Sequence, residues 1–384
     1  MYNFSYANPV KIIFGKNTIK EISNEIPKDV SVLVVYGGGS IKKNGVYDQV
    51  SKALEQHTWF EFAGIEPNPH YETCMQVVDL IKSKGIGYIL AVGGGSVIDA
   101  VKFISAATFY EGNATEILTK QVKVNKAMPF GSILTLAATG SEMNNGGVIT
   151  IAKTQDKLAF SLPVTFPKFS VLDPTTTYTL PAKQTGNGVV DIFVHVAEQY
   201  LTYSEEDTLF QDNMSEAILR TLVEEGPKAL KDPQSYDARA NIMWASTWGL
   251  NGWIGCGVAQ DWATHMIGHE MTALYGLDHG QTLAIVLPGI MTVLKDQKAK
   301  KIIRMGKQVF GITGEADNVI IDKTVKKVEL FFEQMGIKTH LSDYGLGGDA
   351  ATAVADRIDK RGWKLGECQN ITGSVVREIL EIRL

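Results

Sequence analysis

Two pairs of residues at helical spacing have the chemistry of metal ligands. Asp191 and His195 lie four apart in VVDIFVHVAEQY, and His265 and His269 repeat that spacing in WATHMIGHEM. On a helix, positions i and i+4 share one face, so a carboxylate and an imidazole so placed can reach one cation. His279 follows in LDHGQT, just before a glycine. A lone Asp-x-x-x-His pair is weak evidence, because any helix can carry one. Several such residues on two segments are stronger. Three imidazoles and one carboxylate form a nitrogen–oxygen set suited to Fe(II) or Zn(II), not to calcium or magnesium. No thiolate accompanies them, which argues against a structural zinc knot. The five candidates exceed four positions, so one imidazole is spare. His57, His70 and His340 lack such neighbours and read as ordinary surface or loop residues.

A second chemistry sits in two glycine strings. Gly93-Gly94-Gly95-Ser96 follows the apolar run IGYILAV and precedes a helical pattern through Asp99, Lys102 and Ile104. Glycines there let a pyrophosphate approach the backbone, and the free N–H groups of a helix start attract anions. The alternative is a tight strand-to-helix turn with no ligand. The spacing is not G-x-G-x-x-G, so the standard dinucleotide fingerprint is absent. Gly37-Gly38-Gly39-Ser40 repeats the theme after VSVLVVY, with Lys42 and Lys43 following. An NAD site commonly places an acidic residue on the ribose hydroxyls. Here glycines, a serine and lysines stand instead. Ser40 and Lys43 suit a 2′-phosphate, which points to NADP(H); the bland alternative is an ordinary solvated helix face.

These residues need elements to hold them. Val30 to Tyr36, Ile86 to Val92 and Phe130 to Leu136 read as buried parallel strands, with an amphipathic segment from about Asn44 to Gln56. Val148 to Ile151 and Leu158 to Phe160 suggest a β-ribbon around the polar turn Lys153 to Lys157. After Leu180-Pro181 the β-rich runs stop. Met214 to Val223, Asp237 to Leu250, Lys323 to Gln334 and Ala350 to Arg357 have apolar faces of 3.6-residue period. The expected architecture is an α/β nucleotide-binding domain with a Rossmann-like parallel sheet over residues 1–182. An all-α metal-binding and substrate domain follows over 183–384.

Composition removes other classes. With 384 residues and 45% hydrophobic content the chain can bury more than one core, and its net charge of -5 offers no basic footprint for nucleic acid. The longest apolar stretch, LAIVLPGIMTVL, carries Pro288 and Gly289 and is too short to span a bilayer. No secretory signal is visible in MYNFSYANPVKIIFGK. Three cysteines without ladder spacing favour a reducing cytoplasm.

Longer strings carry a resemblance. GGGSVIDAVK (93–102), TLAATGSEMN (135–144), the Asp191/His195 pair and HMIGHEMTALYGLDHGQ (265–281) resemble the iron-containing, or group III, alcohol dehydrogenases, in order along essentially the whole chain. YGGGSIKKNGVYDQV and TYTLPAKQTGNGVVD resemble the branch of butanol dehydrogenases and NADPH-dependent aldehyde reductases. TLAATGSE differs from the commoner TTAGTGSE at Leu136 and Ala138, which implies small changes near the nicotinamide.

The resemblance implies a two-domain subunit, a homodimer, with the active site in the interdomain cleft. It assigns Asp191, His195, His265 and His279 to the metal and leaves His269 beside the nicotinamide. It also implies that Gly37, Gly38, Gly39, Ser40, Lys43, Asn68, Gly93, Gly94, Gly95, Ser96, Asp99, Thr135, Thr139, Asn144, Lys157 and Thr179 line the cofactor site. Family members that prefer NAD often carry Asp where this chain has Gly38. The implied reaction interconverts short-chain primary alcohols and aldehydes. A Lewis-acidic cation acts on the substrate oxygen, and the nicotinamide carries the hydride. His269 has two readings, a proton relay or a packing neighbour. Trp244, Trp248, Asn251, Trp253 and Cys256 are candidates for the substrate wall or for core. Two rivals remain: a glycerol dehydrogenase-like polyol enzyme, and a non-catalytic nucleotide- or metal-binding protein.

Overall fold

The structure, a computed structural model, describes residues 1–154, 156–203 and 206–384. Gln155, in the expected turn Lys153 to Lys157, lies outside the described residues. The chain forms two compact units, one of residues 7–180 and one of residues 1–6 with 181–384.

Among the described residues the first unit has eight strands: β1 (Lys11–Phe14), β2 (Val32–Tyr36), β3 (Trp59–Ala63), β4 (Tyr88–Gly93), β5 (Phe130–Leu134), β6 (Gly146–Ile151), β7 (Asp156–Ser161) and β8 (Phe169–Leu172). Six of them form a sheet in the order β1-β8-β5-β4-β2-β3, and every neighbouring pair is parallel. Strands β2, β4, β5 and β8 are buried at every residue, which explains why their sequences run apolar without alternation. β6 and β7 pair separately as an antiparallel ribbon. Helices α1 (Ile22–Glu25), α2 (Val46–Ala53), α3 (Tyr71–Lys84), α4 (Gly95–Ala107) and α5 (Thr115–Thr119) complete the unit. Ile19, Ile22, Ile26, Val46 and Val50 pack on Val32, Val34, Tyr36, Leu90 and Val92 of the sheet. Helix α4 packs on β4 and β6 and is buried nearly throughout, Lys102 included.

The second unit is helical: α6 (Ala182–Tyr200), α7 (Leu209–Lys231), α8 (Tyr236–Gly249), α9 (Ala263–Tyr275), α10 (His279–Val293), α11 (Lys295–Gln308), α12 (Asp317–Gln334), α13 (Gly348–Lys360) and α14 (Gly373–Glu381). Helix α6 is buried at every residue from Gly188 to Tyr200, and α10 from Thr282 to Met291. The stretch LAIVLPGIMTVL is therefore the core of this unit. Among the described residues no helix is long and apolar enough to cross a membrane. A shared core joins α9, α10, α13 and α14 through Ile267, Met271, Ile285, Val286, Val354, Ile358 and Ile379. The first residues of the chain belong here too. The Tyr2 amide donates to the Gly257 carbonyl at 2.9 Å, and the Met1 ammonium lies 2.7 Å from the Glu206 carboxylate.

Strands β1, β3 and β8 are not among the expected elements, and α7 runs well past Met214 to Val223, continuing through Pro227. His57 is buried, with Nε2 3.3 Å from the Ile26 carbonyl oxygen, so it is not a surface residue.

Candidate functional site

Helix α6 presents Asp191 and His195 one turn apart, α9 presents His265 in its first turn, and α10 begins at His279. The side chains converge on one carboxylate oxygen. Asp191 Oδ1 lies 3.2 Å from His195 Nδ1, 3.5 Å from His265 Nε2 and 3.6 Å from His279 Nε2. Asp191, His195 and His265 are buried, and each offers a ligand atom within 4.8 Å of the others. Among the described residues, Asp191 Oδ1, His195 Nδ1 and His265 Nε2 have no hydrogen-bond partner. Polar atoms so deeply placed are costly unless something satisfies them. A cation among a carboxylate and imidazoles would satisfy all three, so the donor set fits Fe(II) or Zn(II).

The electrostatics agree. Burial works against charge on Asp191, but the His195 and His279 rings outweigh it and hold its carboxyl below the usual range. Burial pushes His195 down to about 4, so near neutral pH its ring is uncharged, as a metal ligand must be. At His265 burial again opposes charge, but Glu198 and then Asp191 outweigh it and raise the ring to about 9. Two buried carboxylates thus face this centre and call for positive charge within it.

His269 lies one turn beyond His265, partly exposed, with its ring centroid 5.4 Å from that of His279 and 6.3 Å from that of His265. Trp262 stands edge-on to His195 and His265, at 6.2 and 5.6 Å between centroids. Its φ of 62° is left-handed, a costly conformation for a bulky residue and one found where a site holds it. Trp244, Trp248 and Trp253 form an edge-to-face ladder with 5.5 Å spacings, ending on Phe210. Asn251 and Cys256 are buried beside it, Asn251 accepting from the Trp253 amide and Cys256 Sγ donating to the Gly252 carbonyl.

In the α/β unit the glycine loops and Thr135 to Thr139 of the expected cofactor residues leave one end of the sheet. Pairing of Tyr36 with Val92 and of Gly93 with Leu134 sets the carboxyl ends of β2, β4 and β5 level. Open α/β sheets bind ligands at this end. Gly37 to Ser40, Gly93 to Ser96 and Thr135 to Thr139 all leave the sheet here. Tyr36 also pairs with Ala63, and Asn68, at φ 55°, follows in the loop after β3. Thr179 is exposed and accepts from Asn44 Nδ2 at 3.4 Å.

The glycines of the second loop have an internal reason as well. A Cβ on Gly95 would lie 2.4 Å from Thr139 Oγ1, so the bare backbone is what lets these two loops touch. Cβ atoms on Gly93 and Gly94 would meet the Val97 and Leu136 side chains at 2.5 and 3.1 Å. Asp99 is held internally too: it accepts from Ser141 Oγ at 2.5 Å and from the Val148 amide at 2.9 Å, and the Lys157 charge acts on it. The Lys102 ammonium, fully buried, donates to Ser141 Oγ, Asn144 Oδ1 and the Gly146 carbonyl at 2.6–2.8 Å. Burial pushes its pKa down to about 8 against the pull of Asp99 and Glu142. Lys102 and Ser141 are thus the fastening of the 140–148 segment, a role that sequence spacing does not indicate.

The first loop separates its lysines. Lys42 Nζ lies 3.1 Å from Glu61 and 4.6 Å from the Tyr47 ring centroid. Lys43 is exposed and has no such ion pair among the described residues.

Glu198 is a further residue that the sequence reading does not single out. It is buried on α6 one turn past His195, and its carboxylate accepts from both His265 Nδ1 and the His265 amide.

Two family profiles cover most of the chain. "Iron-containing alcohol dehydrogenase" matches residues 9–174, and "Fe-containing alcohol dehydrogenase family, C-terminal" matches residues 185–383. The NADPH-dependent aldehyde reductase YqhD of Escherichia coli is 50% identical over 99% of both chains. A probable NADH-dependent butanol dehydrogenase of Bacillus subtilis is 40% identical over the full length of both. Among solved structures, Escherichia coli YqhD superposes with a TM-score of 0.97, covering 100% of this chain and 99% of that one at 50% identity. An NADH-dependent butanol dehydrogenase A from Thermotoga maritima gives 0.94 at 35% identity over 100% and 99%. By profile, by sequence and by fold, the chain belongs to the iron-containing alcohol dehydrogenase family.

Proposed function

We propose that this protein interconverts short-chain aldehydes and primary alcohols with NADP(H), using one divalent cation, Fe(II) or Zn(II), held by Asp191, His195, His265 and His279. The observation that carries the metal assignment is the buried convergence of Asp191 Oδ1, His195 Nδ1 and His265 Nε2 without hydrogen-bond partners. The 50% identity to an NADPH-dependent aldehyde reductase supports the cofactor and the substrate class.

Bound there, the cation supplies Lewis acidity at the substrate oxygen, and the nicotinamide supplies or accepts the hydride. The rest is the work of the chain. Burial keeps the His195 ring neutral and shields Asp191, His195 and His265 from solvent, while His279 stays partly exposed. His269, on the same face as His265 but partly exposed, relays a proton between the substrate oxygen and solvent. The glycine loops at the ends of β2 and β4 hold the pyrophosphate, with Asn68, Thr135, Thr139, Lys157 and Thr179 around it. Asp99 and Asn144 keep the 140–148 segment in place. Ser40 and Lys43 take the 2′-phosphate, since Lys42 is engaged by Glu61.

We place the enzyme in the cytoplasm as a homodimer acting on small molecules, without nucleic acid or membrane partners. Three free thiols, two of them buried, suit a reducing compartment. A steady-state screen of C2 to C6 aldehydes and of glycerol tests the reading, with NADPH and NADH, on protein loaded separately with Fe(II) and Zn(II). Efficient aldehyde reduction by NADPH is expected. Turnover of glycerol alone, or NADPH binding without aldehyde turnover, would overturn it.

A further inference from the structure

Glu198 is three residues beyond His195 on α6 and 2% exposed. It meets the start of α9 at three points. Its main-chain carbonyl accepts from the Asp261 amide at 3.1 Å. One carboxylate oxygen accepts from the His265 amide at 3.2 Å, and the other from His265 Nδ1. The first contact ties down the residue before the N-cap, and the second is helix-capping work: the opening N–H groups of a helix lack partners, and Asp261 Oδ1 serves the Ala263 amide in the same way. The third contact does something a cap does not. A neutral imidazole carries its proton on one nitrogen only. With that proton on Nδ1 and donated to Glu198, the Nε2 lone pair faces Asp191 Oδ1, 3.5 Å away.

We propose that Glu198 is the positioning residue of the metal centre: it selects the Nδ1–H tautomer of His265, locks the plane of that ring, and raises the basicity of Nε2 toward the cation. The proposal rests on the metal assignment above. Both carboxylate oxygens are needed. Two donors of His265 converge on them, and a glutamine offers one acceptor and an NH2 in their place. Glu198→Gln therefore keeps the volume but either leaves one donor facing another or turns the ring to the Nε2–H tautomer, whose proton sits on the nitrogen that faces the cation. It removes the negative charge behind the ring as well. Losing such a partner behind a metal-ligating histidine typically costs about 10–100-fold in metal affinity.

The test separates tautomer control from capping. Zn2+ affinity is measured by competition with a chromophoric chelator on wild type, Glu198→Gln, His265→Ala and the double variant. Thermal melting of the metal-free forms and the visible bands of Co2+-loaded protein are recorded alongside. Glu198→Gln is expected to weaken Zn2+ about 10–100-fold and to change the Co2+ spectrum. In the His265→Ala background the same change should weaken binding less than about 3-fold, because the ring through which Glu198 acts is gone while the backbone cap remains. Equal losses in both backgrounds would make Glu198 a cap only and overturn the proposal. So would wild-type affinity and spectrum in Glu198→Gln. A wild type that binds no Zn2+ or Co2+ would overturn the metal assignment itself, a result distinct from the other two.

Discussion

Replacing Gly38 with aspartate tests whether the first glycine loop meets the adenosine 2′-phosphate. Of the three glycines, this is the one where a side chain fits. A Cβ there meets nothing within 4 Å, whereas on Gly37 it would lie 3.2 Å from the Ile65 carbonyl oxygen, and Gly39 has a φ of 87°. The variant thus sets a carboxylate at the end of β2 without moving the backbone. A 2′-phosphate carries about −2 charge. At about 5 Å the repulsion is about 7 kcal/mol for an effective dielectric of about 20, and about 1.7 kcal/mol for that of water. Gly38 is exposed, so the lower end governs. Salt, with a Debye length of about 8 Å, reduces it further. Against that loss, NADH gains an acceptor for its ribose hydroxyls. The net expectation is a 10–100-fold shift of the kcat/KM ratio toward NADH, about 1.4–2.8 kcal/mol. The shift should shrink at high salt. Lys43→Ala should move the ratio the same way but less, because it removes an attraction without adding a repulsion. Initial rates with both cofactors at saturating aldehyde provide the measurement. A wild type that uses NADH more efficiently, or a Gly38→Asp ratio within about 3-fold of wild type, would refute the phosphate assignment.

Three further outcomes are expected. His195→Ala and His279→Ala should each lose metal and turnover while still binding NADPH, since the glycine loops are in the other unit; full metal content by mass spectrometry would remove either residue from the ligand set. His269→Ala should keep its metal and lower kcat by about 10²–10⁴-fold, whereas a kcat unchanged across the pH range would make it a packing residue. Gly95→Ala should destabilise the α/β unit by about 1–3 kcal/mol through the clash with Thr139 and raise the KM for NADPH. Adding Thr139→Ala should recover part of the loss in a denaturant titration, and no recovery would place the strain elsewhere.

Much of this was legible in the residues, for identifiable reasons. β2, β4 and β5 announce themselves because strands covered on both faces must be apolar throughout, and two of them end in glycines that a helix start requires. β1 and β8 are four residues each, too short for a period to register, and β3 (WFEFA) mixes an acid into an edge strand. The metal pairs show through i, i+4 spacing. Choosing among His265, His269 and His279 needed the family resemblance, because spacing alone gives each imidazole equal standing. Glu198 had a signal, a carboxylate one turn past His195 in a stretch buried from Gly188 to Tyr200. Its meaning depends on α9 arriving with His265, which spacing within α6 cannot show. Lys42 and Lys43 looked equivalent until Glu61, on the neighbouring strand, claimed one of them. Helix α7 extends beyond the apolar pattern of Met214 to Val223 at both ends and runs through Pro227, a residue type that usually ends a helix.

The internal fastening of Asp99 and Lys102 has an evolutionary consequence. Those side chains keep the 140–148 segment folded whatever nucleotide is bound, so mutations there are screened first for stability. At Gly38, Ser40 and Lys43 the situation is reversed: all three are exposed. If these residues meet the 2′-phosphate as proposed, cofactor choice is free to drift at little cost to the scaffold. A lineage can exchange a reducing-equivalent pool by one or two substitutions in a loop that the rest of the protein does not monitor.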